Sequence, residues 1–169
     1  MFTIRRLTAA DASSFRELRL EHLSQHPTGA GAAWDDEVDQ PLAWFEQRIA
    51  DNATFGGFLR DGGKLAGMAG LVVPMGGKMK HKGMLIGMYV VPAARGTGMA
   101  RAVVDALLAY ASGVVEEVHL RVDPDSEPAI RLYRAAGFEQ YGREPRALKI
   151  DGKYHDALLM TLPLKPSGN

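Results

Sequence analysis

The stretch that decides the fold is Tyr89-Val90-Val91-Pro92-Ala93-Ala94-Arg95-Gly96-Thr97-Gly98-Met99-Ala100. An apolar run from Met84 to Val91 stops at Pro92, and a short loop with two glycines follows. From about residue 98 the apolar positions Val103, Val104, Leu107, Leu108 and Ala111 recur at helical spacing, and Gly113 ends the run. A strand therefore passes through a glycine loop directly into a helix. The first amides of a helix have no partner inside it, and the helix dipole adds partial positive charge there. Gly96 and Gly98 remove side chains that would hold a ligand away from those amides, and Arg95 and Arg101 bracket the loop. The pattern admits two readings. It is a seat for a phosphate or pyrophosphate, or it is an ordinary strand–loop–helix connection that needs glycine to turn. Two common phosphate loops do not fit: no G-x-x-x-x-G-K-[ST] string occurs, and Arg101 stands where the dinucleotide fingerprint needs its third glycine.

Outward from that stretch the chain reads as one mixed α/β domain over residues 1–169. Phe2 and Ile4 alternate with polar residues and suggest a first strand. Thr8-Ala9-Ala10-Asp11 has capping-box form and predicts a helix to about Leu23, with Ala12, Phe15 and Leu18 facing the core. Residues 26–40 read as loop, carrying the acidic cluster Asp35-Asp36-Glu37-Asp39 beside Trp34. Pro41 suits the first turn of a second helix with Leu42, Phe45 and Ile49 on one face. Strands Phe55–Arg60 and Lys64–Pro74 flank the turn signal Asp61-Gly62-Gly63, and Met75–Lys82 is a Gly- and Lys-rich loop. The strand Met84–Val91 is apolar at both parities, which predicts a central strand covered on both faces. Gly87 inside it reads first as a tight packing spot and second as a distortion of the strand.

Downstream the spacing predicts a strand over 116–122, then a helix over 127–136 with Pro128 in its first turn and Gly137 as its stop. Strands Phe138–Gly142 and His155–Leu162 close the chain around an Asp151-Gly152 turn. The expected architecture is a central mixed sheet of about seven strands flanked by about four helices.

Composition narrows the function classes. The chain has 169 residues, 20 Lys+Arg against 20 Asp+Glu, no cysteine, 46% hydrophobic and 24% charged residues. A net charge of zero and a pI near 7.0 argue against a nucleic-acid binder. The absence of cysteine excludes disulfides, thiolate metal sites and a cysteine nucleophile. No histidine–carboxylate spacing suggests a metal site. The uncharged stretch Gly83 to Ala94 is about half of a membrane span. With no signal-like segment at the N-terminus, a cytoplasmic location without membrane attachment is the expectation.

Val90-x-Pro92-x-x-Arg95-Gly96-x-Gly98-x-Ala100 resembles the signature of the GNAT superfamily of N-acetyltransferases. Ala129-Ile130-Arg131-Leu132-Tyr133-Arg134-Ala135-Ala136-Gly137-Phe138 is similar to the family's A-x-x-L-Y-x-x-x-G-F segment, in the right order and separation. Gly142 to Lys149 resembles the end of a bacterial subgroup. The resemblance implies a sheet splayed at its central strand, with the pantetheine arm of acetyl-CoA in the gap. It implies that Met88 and Val90 offer backbone groups to the pantetheine, and that Arg95, Gly96, Thr97, Gly98, Met99 and Ala100 hold the pyrophosphate through their amides. Arg101 would reach the same phosphates. Ser126 stands where the family often has asparagine and would contact the cofactor or cap its helix, with Asp125 competing for the cap.

Tyr133 is the residue the resemblance marks for proton transfer to the departing thiolate. A phenol of reference pKa about 10 stays protonated at neutral pH and donates a hydrogen bond, whereas full transfer to a thiolate of about 8.5 is uphill by roughly 2 kcal/mol. The alternative is a core tyrosine beside Ala129, Leu132 and Ala136. The base is left open. Many relatives carry a glutamate on the central strand, and residues 84–91 hold no carboxylate. Candidates for base or amine binding are Asp36, Glu37 and His81, while His119 reads as structural; proton loss through ordered water needs no protein base. The Lys78–Lys82 run reads as a solvated loop or an aid to the CoA 3′-phosphate. The resemblance implies an acetyl-CoA-dependent N-acetyltransferase acting on a small amine or a peptide amine, without a metal, with homodimerisation left open. Its rival is a CoA-binding regulatory module of the same fold that has lost catalysis.

Overall fold

The computed structural model describes residues 1–61 and 63–164. Seven strands form one mixed sheet in the order β1-β2-β3-β4-β5-β7-β6. They are β1 (Phe2–Arg6), β2 (Ala53–Leu59), β3 (Leu65–Val72), β4 (Lys82–Val90), β5 (Glu117–Val122), β6 (Glu139–Ile150) and β7 (Lys153–Pro163). Five α-helices accompany them: α1 (Ala12–Gln25), α2 (Trp34–Glu37), α3 (Leu42–Asp51), α4 (Met99–Ala111) and α5 (Glu127–Ala135). Every neighbouring pair is antiparallel except β4–β5.

Two hydrophobic clusters explain why β4 is apolar at both parities. Leu85 and Val90 join the cluster under α4, with Val103, Val104, Leu107 and Ala111 fully buried. Tyr89 faces the other way, into the cluster formed by Phe15 and Leu18 of α1, Phe45 and Ile49 of α3, and Met68. Covering each of these larger side chains contributes about 1.5–3 kcal/mol. Glycine sets how closely α4 approaches the sheet: a Cβ on Gly57 or Gly67 would stand 2.8 or 2.9 Å from the Met99 sulfur. The first turn of α4 is thereby seated on β2 and β3.

The gap in the sheet has a visible cause. β4 and β5 pair only over Lys82–Met84 and Glu117–His119, then part. On its other side β4 loses register with β3 between Met68 and Gly70, where Gly87 and Met88 together oppose Ala69. Gly87 sits there at φ +62°, the conformation of a glycine bulge. A Cβ at Gly87 would meet only Arg19 Nη1, at 3.5 Å. The tight-packing reading of Gly87 is therefore corrected, and the distortion is the observed feature.

Other expectations shift. Residues 26–40 are not plain loop: a 3-10 turn spans Pro27–Gly29, and α2 adds a fifth helix. β6 and β7 run to 12 and 11 residues, beyond the expected strands. Most of β6 is exposed or half-buried, so it carries little hydrophobic period, and Pro145 lies beside a register shift with Arg146 at φ +53°. The Asp61-Gly62-Gly63 turn includes Gly62, which lies outside the described residues; the Leu59 amide bonds the Lys64 carbonyl at 2.9 Å across it. Among the described residues no helix is long and apolar enough to cross a membrane.

Candidate active site

Where β4 and β5 part, a cavity of about 530 Å³ opens, bounded by Met88 to Val90, the start of α4 and one side of α5. Its floor at α4 is the glycine loop. Gly96 and Gly98 have φ of +76° and +88°, and a Cβ on either would meet nothing within 4 Å, so the space in front of the loop is open. The amides of Gly96, Gly98, Ala100 and Arg101 bond no described residue. The Thr97 hydroxyl turns inward, donating to the Ala94 carbonyl at 2.6 Å and accepting from the Met99 amide at 3.4 Å. Met99 is fully buried, so what it can present here is backbone.

Both flanking arginines are engaged within the protein. Arg95 Nε donates to the Val90 carbonyl at 3.1 Å, and its Nη2 lies 3.2 Å from His26 Nε2. Arg101 Nε donates to Asp105 at 2.8 Å while Nη1 bonds the Ala135 carbonyl at 2.9 Å, tying α4 to the end of α5. Ser126 is the N-cap residue of α5 without a side-chain cap bond, and it lines the cavity. Asp125 does not take over the cap; its amide bonds Asp123 Oδ1 at 2.9 Å.

Tyr133 projects from α5 and is 6% exposed, its ring edge-on to Phe138 at 5.8 Å. Its hydroxyl has no hydrogen-bond partner among the described residues, and burial pushes the phenol well above the ordinary tyrosine value. Tyr133 lines both this cavity and a second one of about 330 Å³, which it shares with Met88, Arg121 and Asp123. The second cavity continues past the Gly87 bulge to Arg19 and Arg48, with Asp156 of β7 also at its wall.

The structure does not bring Asp36, Glu37 or His81 to either cavity. Glu37, expected in a solvated acidic loop, is 2% exposed. The turn of α2 points it inward, where its two oxygens accept from Arg19 Nε at 2.9 Å and Nη2 at 3.2 Å. Asp36 accepts the Ala33 amide at 2.8 Å and closes the first turn of α2. His81 stands 3.9 Å from Glu117 at the far end of β4. For the two carboxylates the correction has one physical source: a helical turn replaces the loop, and it sends adjacent side chains to different sides. His119 is held by Glu117 at 3.0 Å and Tyr141 at 3.3 Å, away from both cavities, in keeping with a structural role.

Sequence reasoning missed Arg19, Arg48, Asp123, Asp156 and His22. For Arg19 and His22 a signal existed: they continue the core-facing stripe Ala12, Phe15, Leu18 of α1, so polar side chains fall where apolar ones belong. His22 stacks on Tyr89 at 5.1 Å, and its Nδ1 is buried without a partner. Burial, with Arg19 and His26 nearby, pulls its pKa down to about 3. Tyr89 donates to Glu21 at 2.8 Å, and burial together with that bond raises its pKa to about 12. No group of three or more His, Cys, Asp or Glu that could hold a metal ion occurs among the described residues.

The sequence model of the Acetyltransferase (GNAT) family matches residues 15–138. The chain belongs to that family. The N-alpha-acetyltransferase RimI of Mycobacterium tuberculosis is 31% identical over 150 residues, covering 89% of this chain and 86% of that protein. An uncharacterized protein of Mycobacterium leprae is 34% identical over 128 residues, 75% of this chain. That match spans only 34% of the Mycobacterium leprae protein's length. Among solved structures, a GNAT acetyltransferase from Streptococcus pneumoniae superposes with a TM-score of 0.83 at 20% identity, over 96% of this chain and 99% of that one. The yncA protein of Salmonella typhimurium, a putative acetyltransferase solved with its cofactor acetyl-CoA, gives 0.81 at 21% identity, over 100% and 97%. At such identities the likeness is one of fold. In this GNAT acetyltransferase the seven-stranded mixed sheet and the parting of β4 from β5 agree with the architecture the sequence implied.

Proposed function

We propose that this GNAT chain transfers the acetyl group of acetyl-CoA to a primary amine, small or peptidic, by direct attack of the amine nitrogen on the thioester carbonyl. The observation that carries the reading is that two cavities meet at Tyr133, which lines both, one ending on the glycine loop and the other among charged side chains. The residues fit the donor. Unpartnered amides and open space before Gly96 and Gly98 suit a pyrophosphate, and the unpaired edge of β4 at Met88 and Val90 suits an amide-bearing arm. Arg95 covers the Val90 carbonyl, so that arm takes the place of the Arg95 contact as it enters. The 31% identity to an N-alpha-acetyltransferase supports nitrogen as the acceptor atom.

An acceptor that arrives as ammonium first gives one proton to solvent; then a C–N bond forms, the C–S bond breaks, one proton leaves nitrogen and one joins sulfur. Tyr133 supplies a hydrogen bond to the sulfur as charge develops on it. Because burial raises the Tyr133 pKa, the phenol keeps its proton at neutral pH and acts as a donor, with solvent completing protonation of CoA. Asp123 is the one carboxylate, among the described residues, that lines both cavities, and it faces the path by which an ammonium arrives. Tyr133→Phe tests the role. Turnover falls by about tenfold or more while the acetyl-CoA Kd, read by calorimetry, stays within about twofold. An unchanged turnover number removes Tyr133 from the chemistry.

A further inference from the structure

The far end of the second cavity holds more positive charge than the protein neutralises. Arg19 and Arg48 both turn to Glu37, the one carboxylate among the described residues within ion-pair distance of either. Arg19 takes it with two short bonds, at 2.9 and 3.2 Å. Arg48 reaches it only at 3.8 Å, stacks 5.4 Å over the Trp44 ring, and hydrogen-bonds no described residue. Its side chain is 25% exposed, and burial with Arg19 beside it lowers its pKa. Arg19 Nη1 likewise bonds no described residue; the side chain is 4% exposed, and Nη1 lies at the Gly87 bulge, 3.5 Å from where a Cβ would stand. A guanidinium carries five donors that call for acceptors when taken out of water, so this pair is built to receive an anion.

The two ends of the cavity differ. At the end shared with the larger cavity stand Tyr133, Asp123 and Arg121, whose Nε lies 3.4 Å from Glu144 Oε2. Arg19 and Arg48 stand at the other end, where they also line a small void of about 20 Å³ behind the bulge. The remaining carboxylate on the wall, Asp156, is committed to Arg143 at 2.8 Å and to the Arg146 amide at 2.9 Å.

We propose that the acceptor is a small amino acid: one molecule carrying a primary amine and, a few bonds away, a carboxylate or comparable oxyanion that Arg19 and Arg48 bind together. The inference rests on the acetyltransferase reading above and narrows its substrate class. Glu37 is then a positioning residue, holding Arg19 so that its free nitrogen and Arg48 converge on one anion. The cavity of about 330 Å³ is of a size for such a ligand, and the anion end orients the amine toward Tyr133.

The test uses the whole enzyme, saturating acetyl-CoA and matched amines: α- and ω-amino acids, each beside its own carboxamide, with a neutral tetrapeptide as a further arm. CoA release gives kcat/KM for each, and calorimetry gives the acetyl-CoA Kd separately. Charged hydrogen bonds of this kind set the expected scale, so at least one acid should exceed its amide by about tenfold or more. In Arg48→Gln that ratio should collapse toward one through KM, with the melting temperature confirming a folded variant. Amides turned over as well as acids, or a tetrapeptide preferred to every acid, overturns the proposal, and the wild-type ratio decides this even if the variant does not fold. A ratio that Arg48→Gln leaves intact overturns the role of the pair. Absence of acetyl-CoA binding overturns the underlying reading as well, which separates the two failures.

Discussion

Acidification from about pH 7 to about pH 5 should destabilise this acetyltransferase through one side chain, His22. His22 is 2% exposed, stacked on Tyr89, and its pKa falls from 6.5 to about 3. Desolvation is the largest cause, followed by the charges of Arg19 and His26. Between those two values the unfolded chain binds a proton that the folded chain refuses, so stability rises with pH across the window and is lost as pH falls. His22 is neutral in both states well above 6.5, and the loss is complete only near 3. At pH 5 an unfolded histidine is about 97% protonated, so the loss between pH 7 and 5 is about 2 kcal/mol, with a ceiling of about 4–5 kcal/mol near pH 3. For a chain of this length that corresponds to a fall in Tm of about 4–8 °C. The assay is thermal unfolding of wild type and His22→Gln at both pH values. Glutamine cannot take up the proton, and contributions from the other histidines cancel in the comparison. Wild type should lose about 2 kcal/mol more than the variant. Equal losses would show that His22 charges freely in the folded state, and would refute the argument.

Two further outcomes follow from the same packing. Glu37→Gln leaves Arg19 buried without a counter-charge and should cost about 3–5 kcal/mol in urea unfolding, whereas Asp36→Asn, at an exposed first turn, should cost less than about 1 kcal/mol. Equal costs would return both residues to a solvated loop. Gly98→Ala forces a side chain to φ +88° and should cost about 1–2 kcal/mol in stability. Its methyl group enters the open space before the loop, so the acetyl-CoA Kd should rise by about tenfold or more; an unchanged Kd would show that nothing binds there.

The parts of this molecule that were legible in the sequence are those whose local chemistry is strict. The β4–loop–α4 unit, with Pro92, Gly96 and Gly98, and α5, closed by Gly137 at φ +104°, lie within two residues of where the spacing put them. Their apolar faces are buried, so period and burial agree. The gap between β4 and β5 was implied by resemblance, while its local mark, a glycine bulge, is indistinguishable in sequence from a packing glycine until its φ is known. The charged end of the second cavity was least legible. Arg19, Arg48 and Glu37 come from three helices separated by loops, and a long-range ion pair leaves no spacing to read. The acidic cluster misled for a related reason: four carboxylates within five residues read as solvated, but a single helical turn buried one of them. Asp123 escaped notice because it lies one residue beyond the end of β5, where pattern arguments stop.

The central claim is amine-dependent release of CoA from acetyl-CoA where the two cavities meet at Tyr133. The chain contains no cysteine, so any free thiol that appears in a mixture of enzyme, acetyl-CoA and amine belongs to CoA, and a thiol reagent reads it without background. Thiol release should saturate with both acetyl-CoA and amine and should fall about tenfold or more in Tyr133→Phe. Thiol release that stays at the rate of spontaneous thioester hydrolysis across the amine panel would contradict it.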